Sequence, residues 1–141
     1  LRGGRAASQN MIPASTGAAI AVTEAVPSLK GKFDGIAVRV PVISGSIADI
    51  TFIAKKNTTV EEINYILTKA AALPRWTGIF SVTNEPLVSS DIVGSIYASI
   101  ADLQMVKVVG GNLVKVLAWY DNEMGYTHTL LRHVLTAGKS L

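Results

Sequence analysis

Apolar and polar positions along the chain mark out a succession of short elements. Residues 1 to 14, with glycines, polar groups and Pro13, read as a loop. Ser15-Thr16-Gly17 then opens a helix that runs to about Val26, with Ala18, Ala21, Val22 and Ala25 on one face and Pro27 ending it. From Phe33 to Val42 the sequence alternates, setting Ile36, Val38, Val40 and Val42 against Ala37 and Arg39, and Pro41 marks an edge or an irregularity. The turn Ile43-Ser44-Gly45 leads to a second strand, Ile47 to Ala54.

Asn57-Thr58-Thr59 starts the clearest helix. Thr58 with Glu61 and Thr59 with Glu62 both fit a capping box, Val60, Ile63, Ile66, Leu67 and Ala70 form an apolar stripe, and Pro74 closes the segment. Strands are predicted over Ile79–Val82, Ser95–Ile100, Met105–Val109 and Leu113–Tyr120, the last two joined by a Gly110-Gly111-Asn112 hairpin turn. A final helix, Glu123 to Leu135, carries Tyr126, Leu130 and Val134 at i, i+4 and i+8, with Gly138 past its end. Strands interspersed with helices, and at least one hairpin, predict an α+β fold: a mixed, largely antiparallel sheet with helices packed on one face.

Composition narrows the function classes. A chain of 141 residues is one domain with room for a core. With 49% hydrophobic residues and 16% charged ones it is apolar for its size, which points to surface buried against partners. No apolar run reaches the roughly 18 residues of a membrane helix. The net charge of +3 is spread over scattered basic residues, with Lys55-Lys56 the only adjacent pair, which argues against a nucleic-acid surface. There is no cysteine, and the two histidines, His128 and His133, are five apart, so no metal site is expected. Without a visible signal or transit segment, the cytoplasm is the default compartment. Glu61-Glu62 fall in the first turn of a helix, where the dipole favours them, and Ser89-Ser90-Asp91 has neither a nearby His nor a nucleophile-elbow pattern.

Candidate chemistry gathers where strands meet helices. Thr16 and Gly17 lie at a helix start, where unpaired N–H groups and the helix dipole favour an anion. Taking a helix rise of about 1.5 Å and a strand rise of about 3.3 Å per residue, the strand from Phe33 would bring Arg39 back to the level of Thr16. There its guanidinium could hold a phosphate through two donors; the alternative is a plain helix cap and an Arg paired with a carboxylate such as Asp49. Trp119-Tyr120-Asp121-Asn122-Glu123-Met124-Gly125-Tyr126 ends a strand in polar groups as a helix begins. Spacing alone favours a polar turn with an acidic N-cap, with Glu123 structural and Trp119 in the core.

The wording of that octapeptide resembles the C-terminal signature of the phosphorying glyceraldehyde-3-phosphate dehydrogenases. Two further stretches, Arg5 to Ala19 and Gly35-Ile36-Ala37-Val38-Arg39-Val40-Pro41, are similar to that family's loop-to-helix segment and phosphate-binding strand. The resemblance implies that the chain is the C-terminal catalytic domain, residues 1–141, of an NAD-dependent enzyme that turns glyceraldehyde 3-phosphate into 1,3-bisphosphoglycerate. It implies phosphate contacts from Thr16, Gly17 and Arg39, a nicotinamide carboxamide contact from Asn122, and ring packing by Tyr126. It also implies a homotetramer, a sheet strand upstream of residue 1, and a Cys nucleophile and His base upstream as well. With no Cys and no Gly-rich dinucleotide fingerprint, the chain is expected to be the back half of a longer enzyme and inactive alone. Arg2-Gly3-Gly4-Arg5 departs from the family's Arg-Arg-x-Arg, placing Gly3 where a phosphate-contacting Arg is usual. A sister enzyme acting on erythrose 4-phosphate ranks lower, because its helix start typically lacks Ser15-Thr16-Gly17-Ala18-Ala19. The reading from another class is a non-catalytic interaction module that kept the fold.

Overall fold

The computed structural model describes residues 2–139, and these fall into two compact units that divide between Ile43 and Ser44. The smaller unit begins with two single 3-10 turns, Arg2–Gly4 and Ala7–Gln9, and then a strand, β1 (Ile12–Ser15), in the segment expected to be loop. β1 pairs antiparallel with β2 (Ile36–Arg39) in a two-stranded sheet, Pro13 lying opposite Val38. Proline is tolerated because such a sheet consists of edges, where an N–H that faces away from the partner is dispensable. Between the strands lies α1 (Ala18–Ala25), which ends before a 3-10 turn, Pro27–Leu29. Its inward side holds Ala19 with Val22 and Thr23; of the predicted face only Val22 turns inward, since Ala18, Ala21 and Ala25 are exposed. β2 is shorter than the alternating run that predicted it: regular pairing starts at Ile36 and stops before Pro41, where Val42 N–H donates to Val40 O in a tight turn.

The larger unit is a four-stranded mixed sheet in the order β3-β6-β5-β4. β3 (Ser46–Ile53), β6 (Leu113–Tyr120) and β5 (Ser99–Val109) run antiparallel in turn, and β4 (Phe80–Thr83) joins β5 in parallel. The α+β expectation is met. Gly110 and Gly111, both at positive φ, turn β5 into β6 as the sequence predicts. β5 joins one end of the predicted Ser95–Ile100 strand to the predicted Met105–Val109 strand. Asp102 faces Leu117 and Lys107 faces Lys115, so five residue steps on β5 oppose two on β6 and the strand bulges between them.

One sheet face holds the core. Ala101, Val106, Val114 and Val116 are buried there beneath α2 (Val60–Ala71), whose Val60, Ile63 and Leu67 pack on them with Phe80 and Val82 of β4. α2 starts where predicted, but with half of one capping box: Thr59 Oγ1 accepts from Glu62 N–H at 3.2 Å, while the Glu62 carboxylate accepts from the Thr58 hydroxyl at 2.8 Å. The opposite face carries the Asp49–Lys115 ion pair (2.5 Å) and Trp119, whose indole N–H donates to Asp102 at 3.1 Å. Trp119 is therefore half-buried on the face away from the core, and Asp49 pairs with Lys115, not with Arg39. A four-residue helix, α3 (Ser89–Ile92), was unforeseen and sinks Ile92 to 1% exposure. The last helix, α4 (Met124–Gly138), runs past the predicted end and includes Gly138; its Tyr126, Leu130 and Val134 stripe faces outward.

Candidate functional site

Candidate residues fall in both units, and the smaller unit holds Thr16, Gly17 and Arg39, the set expected to meet an anion. Thr16 Oγ1 accepts from Ala18 N–H at 3.2 Å, and Gly17 O accepts from Ala21 N–H at 3.0 Å, fixing the first turn of α1. The next amides of that turn, of Ala19 and Ile20, have no acceptor within the helix and carry its positive end. Arg39 pairs across the hairpin with Ile12, whereas Ser15, next to Thr16, pairs with Ile36. The expected level match between Arg39 and Thr16 is thus corrected. The return strand registers on β1, not along α1, so Arg39 sits about 13 Å along the hairpin from Thr16 at roughly 3.3 Å per residue. Arg39 shares a face of the hairpin with its partner Ile12 and with Ala14, while Thr16 follows directly on the far end of β1. No carboxylate forms an ion pair with Arg39 among the described residues.

The larger unit holds the other set at the junction of β6 and α4. Asp121 is the true helix cap. Its Oδ1 accepts from the N–H groups of Glu123 (2.8 Å) and Met124 (3.0 Å), and its Oδ2 accepts from Gly94 N–H at 2.7 Å. The residue is 2% exposed. The Gly94 N–H, then those of Glu123 and Met124, hold its carboxyl below the ordinary aspartate range, against the opposing effect of burial. A carboxylate so depressed stabilises the fold fully above the ordinary aspartate pKa, and that contribution disappears only as pH falls through the lowered value.

Asn122 follows directly, exposed, with Oδ1 accepting a long hydrogen bond from Ser46 Oγ (3.4 Å). Its Nδ2 donates to no other group among the described residues. Asn122 and Tyr126 line a cleft of about 300 Å³ with Ala98, Tyr120, Asp121 and Thr129. Tyr126 lies one helical turn from Asn122 and is 65% exposed, so the ordinary core role weighed for it does not apply within this unit. Gly125 makes the cleft possible. A Cβ there would lie 2.6 Å from Tyr97 O, so only glycine lets the first turn of α4 rest on the Tyr97–Ala98 backbone. Sequence reasoning found Asn122, Tyr126 and the acidic cap. It missed Gly94, Ala98 and Ser46, which no local pattern ties to the octapeptide. No cluster of His, Cys, Asp and Glu able to hold a metal occurs among the described residues. Nor is any helix among them long and apolar enough to cross a membrane.

Residues 1–122 match the family model described as glyceraldehyde 3-phosphate dehydrogenase, C-terminal domain. Over its full length the chain is 45% identical to the glyceraldehyde-3-phosphate dehydrogenase of Zymomonas mobilis subsp. mobilis, covering 42% of that protein. It is 49% identical over its full length to the enzyme of the same name from Mycobacterium avium, covering 41% of it. Against the one from Borreliella burgdorferi it is 49% identical over 90% of this chain and 38% of the relative. The chain spans about two fifths of the length of these relatives. It belongs to the glyceraldehyde 3-phosphate dehydrogenase family, as a C-terminal domain.

Proposed function

We propose that this chain supplies the phosphate and nicotinamide contacts of a phosphorylating, NAD-dependent glyceraldehyde-3-phosphate dehydrogenase of glycolysis. The observation that carries the reading is the Asn122 amide, its Nδ2 uncommitted, at the rim of a cleft floored by the start of α4. A carboxamide offers one donor and one acceptor, and so does Asn122 in return. The apolar lining from Ala98, Tyr120 and Tyr126 suits a flat ring. The residues present therefore fit a nicotinamide. When bound, the dinucleotide supplies the ring that accepts hydride.

This chain's own part is to bind and orient. Asn122 fixes which face of the ring meets the aldehyde, and Tyr126 packs on the ring. Thr16, Gly17 and the first turn of α1 offer N–H and hydroxyl groups to an anion at one end of the β1–β2 hairpin, and Arg39 offers a guanidinium at the other end. Inorganic phosphate and the phosphate of glyceraldehyde 3-phosphate are the anions this reading assigns there. Gly3 stands where the resemblance implies a phosphate-contacting Arg, so on this reading one charge is missing from that task. With no cysteine, the chain offers no thiolate to attack the aldehyde, so nucleophile and base belong to the remainder of the complete, cytoplasmic enzyme. A homotetramer is supported by Ile47, Ile53, Val109 and Leu113, apolar side chains left exposed on the larger sheet.

The test is Arg39→Leu in the complete enzyme. KM rises for both inorganic phosphate and the phosphorylated aldehyde, by an amount equivalent to roughly 1.5–3 kcal/mol for a lost charge-assisted contact. Unchanged dependence on both would assign Arg39 to structure and remove the phosphate half of the proposal.

A further inference from the structure

We propose that Asp121 is a positioning residue for the nicotinamide contact: its carboxylate ties the backbone on both sides of Asn122 to the Gly94 loop and so aims the Asn122 amide. This rests on the reading of Asn122 as the carboxamide partner. Four observations carry it. First, the carboxylate is buried, yet no cation pairs with it among the described residues; its partners are three backbone N–H groups. Second, a helix cap alone needs only one acceptor, which Ser, Thr or Asn would supply. The second oxygen, Oδ2, is spent on Gly94, which lies 27 residues away in sequence.

Third, the segment so tied leads into the lining of the same cleft. Gly94 leads through Tyr97, whose carbonyl abuts Gly125, to Ala98, which lines the cleft together with Asn122. Fourth, the Asn122 side chain has little to hold it apart from the 3.4 Å bond from Ser46, so its direction is inherited from its backbone. One carboxylate thereby joins the strand end that carries Asn122, the helix that carries Tyr126 and the loop that leads to Ala98. A residue that only capped α4 would leave the Gly94 loop untied from the segment that carries Asn122. The lowered pKa of Asp121 keeps both oxygens available as acceptors at neutral pH.

The experiment uses the complete enzyme and three probes: NAD, its 3-acetylpyridine analogue, in which a methyl ketone replaces the carboxamide, and ADP-ribose, which lacks the ring. Calorimetric affinities for wild type, Asn122→Ala and Asp121→Asn are compared. Asn122→Ala is expected to reduce the preference for NAD over the analogue by about tenfold. Asp121→Asn keeps one acceptor for the helix cap but turns an amide NH₂ towards another N–H. It is expected to reduce the same preference by at least about threefold while leaving ADP-ribose affinity within about twofold of wild type.

If Asn122→Ala loses the preference and Asp121→Asn retains it, the positioning role is overturned while the reading of Asn122 stands. If Asn122→Ala retains it, the reading of Asn122 falls and the positioning role falls with it. Amide exchange in the wild-type enzyme decides the matter independently of how the variants fold. The N–H groups of Gly94, Glu123 and Met124 should open together as one protected unit, and a Gly94 amide that exchanges as if unprotected would overturn the tie.

Discussion

Ile92 and Ile36 are the same residue type in the two units and meet opposite fates. In the larger unit Ile92 is 1% exposed, alongside the fully enclosed Val106 and Val114. In the smaller unit Ile36 is 74% exposed, and among the described residues Ala19 alone of the apolar side chains is buried. A two-stranded sheet and an eight-residue helix cannot enclose a core, and a segment of this size rarely holds itself together alone. The larger unit encodes its own shape, since α2 covers the sheet centre and the sheet repeats the alternation written in β6. The smaller unit encodes a hairpin, a helix start and a set of apolar side chains with no partner within itself. Thr16, Gly17 and Arg39 are therefore proposed for the region with the least self-made order, and Asn122 and Tyr126 for the end of a packed sheet.

The contrast can be broken most directly by paired truncations. Ile92→Ala should cost about 2–4 kcal/mol, through lost burial and the cavity left behind, whereas Ile36→Ala should stay within about 0.5 kcal/mol. Denaturant melts of the two variants read the difference; equal losses would mean that Ile36 is as enclosed as Ile92. The next effect in size sharpens the picture of the larger unit. Gly125→Ala should cost about 1–3 kcal/mol, because a methyl at 2.6 Å from the Tyr97 carbonyl forces α4 away from the sheet end. A neutral melt would show that α4 can lift without penalty. The smallest concerns helix starts. Thr59→Ala should cost about 1 kcal/mol, since Thr59 caps the helix that covers the core. Thr16→Ala should cost less than that in global stability, because Ala19 is the only side chain that α1 itself buries. A Thr16→Ala melt that falls as far as the Thr59→Ala melt would place α1 in the cooperative core.

What was legible in the sequence follows the same division. Val114, Val116 and Ala118 alternate without interruption, and the pair Gly110-Gly111 admits the positive φ of a tight hairpin, so β6 and its turn were readable from neighbours alone. Thr59 and Glu62 announced α2 for the same reason, since a capping box is a local device. β1 was not readable, because Pro13 argues for a loop and only pairing with β2, more than twenty residues later, makes the segment a strand. β5 was read as two strands because the bulge after Asp102 inserts residues that break the period of two. α3 is too short to show a period at all. At the site, Asn122, Tyr126 and the acidic cap lie within one stretch of sequence and could be seen together. The Gly94 amide and the Ser46 hydroxyl reach them only through the folded sheet, and the distance between Arg39 and Thr16 depended on a strand register that no local pattern fixes.

The tight turn at Gly110-Gly111 also bears on the order of events in folding. It joins β5 and β6, the two central strands of the larger sheet, whose first paired residues, Val109 and Leu113, are four apart in sequence. Closing so small a loop takes well under a microsecond, and a hairpin of this kind forms within about 1–10 microseconds. The partners of the outer strands are remote: Ile53 of β3 meets the same Leu113 only after some sixty residues of chain have been gathered in, at a correspondingly larger entropic penalty. The hairpin is thus the natural seed for the sheet. Both of its outward edges stay unsatisfied until β3 and β4 arrive, so its brief solitary life is the stage at which this chain is most open to pairing with another copy of itself.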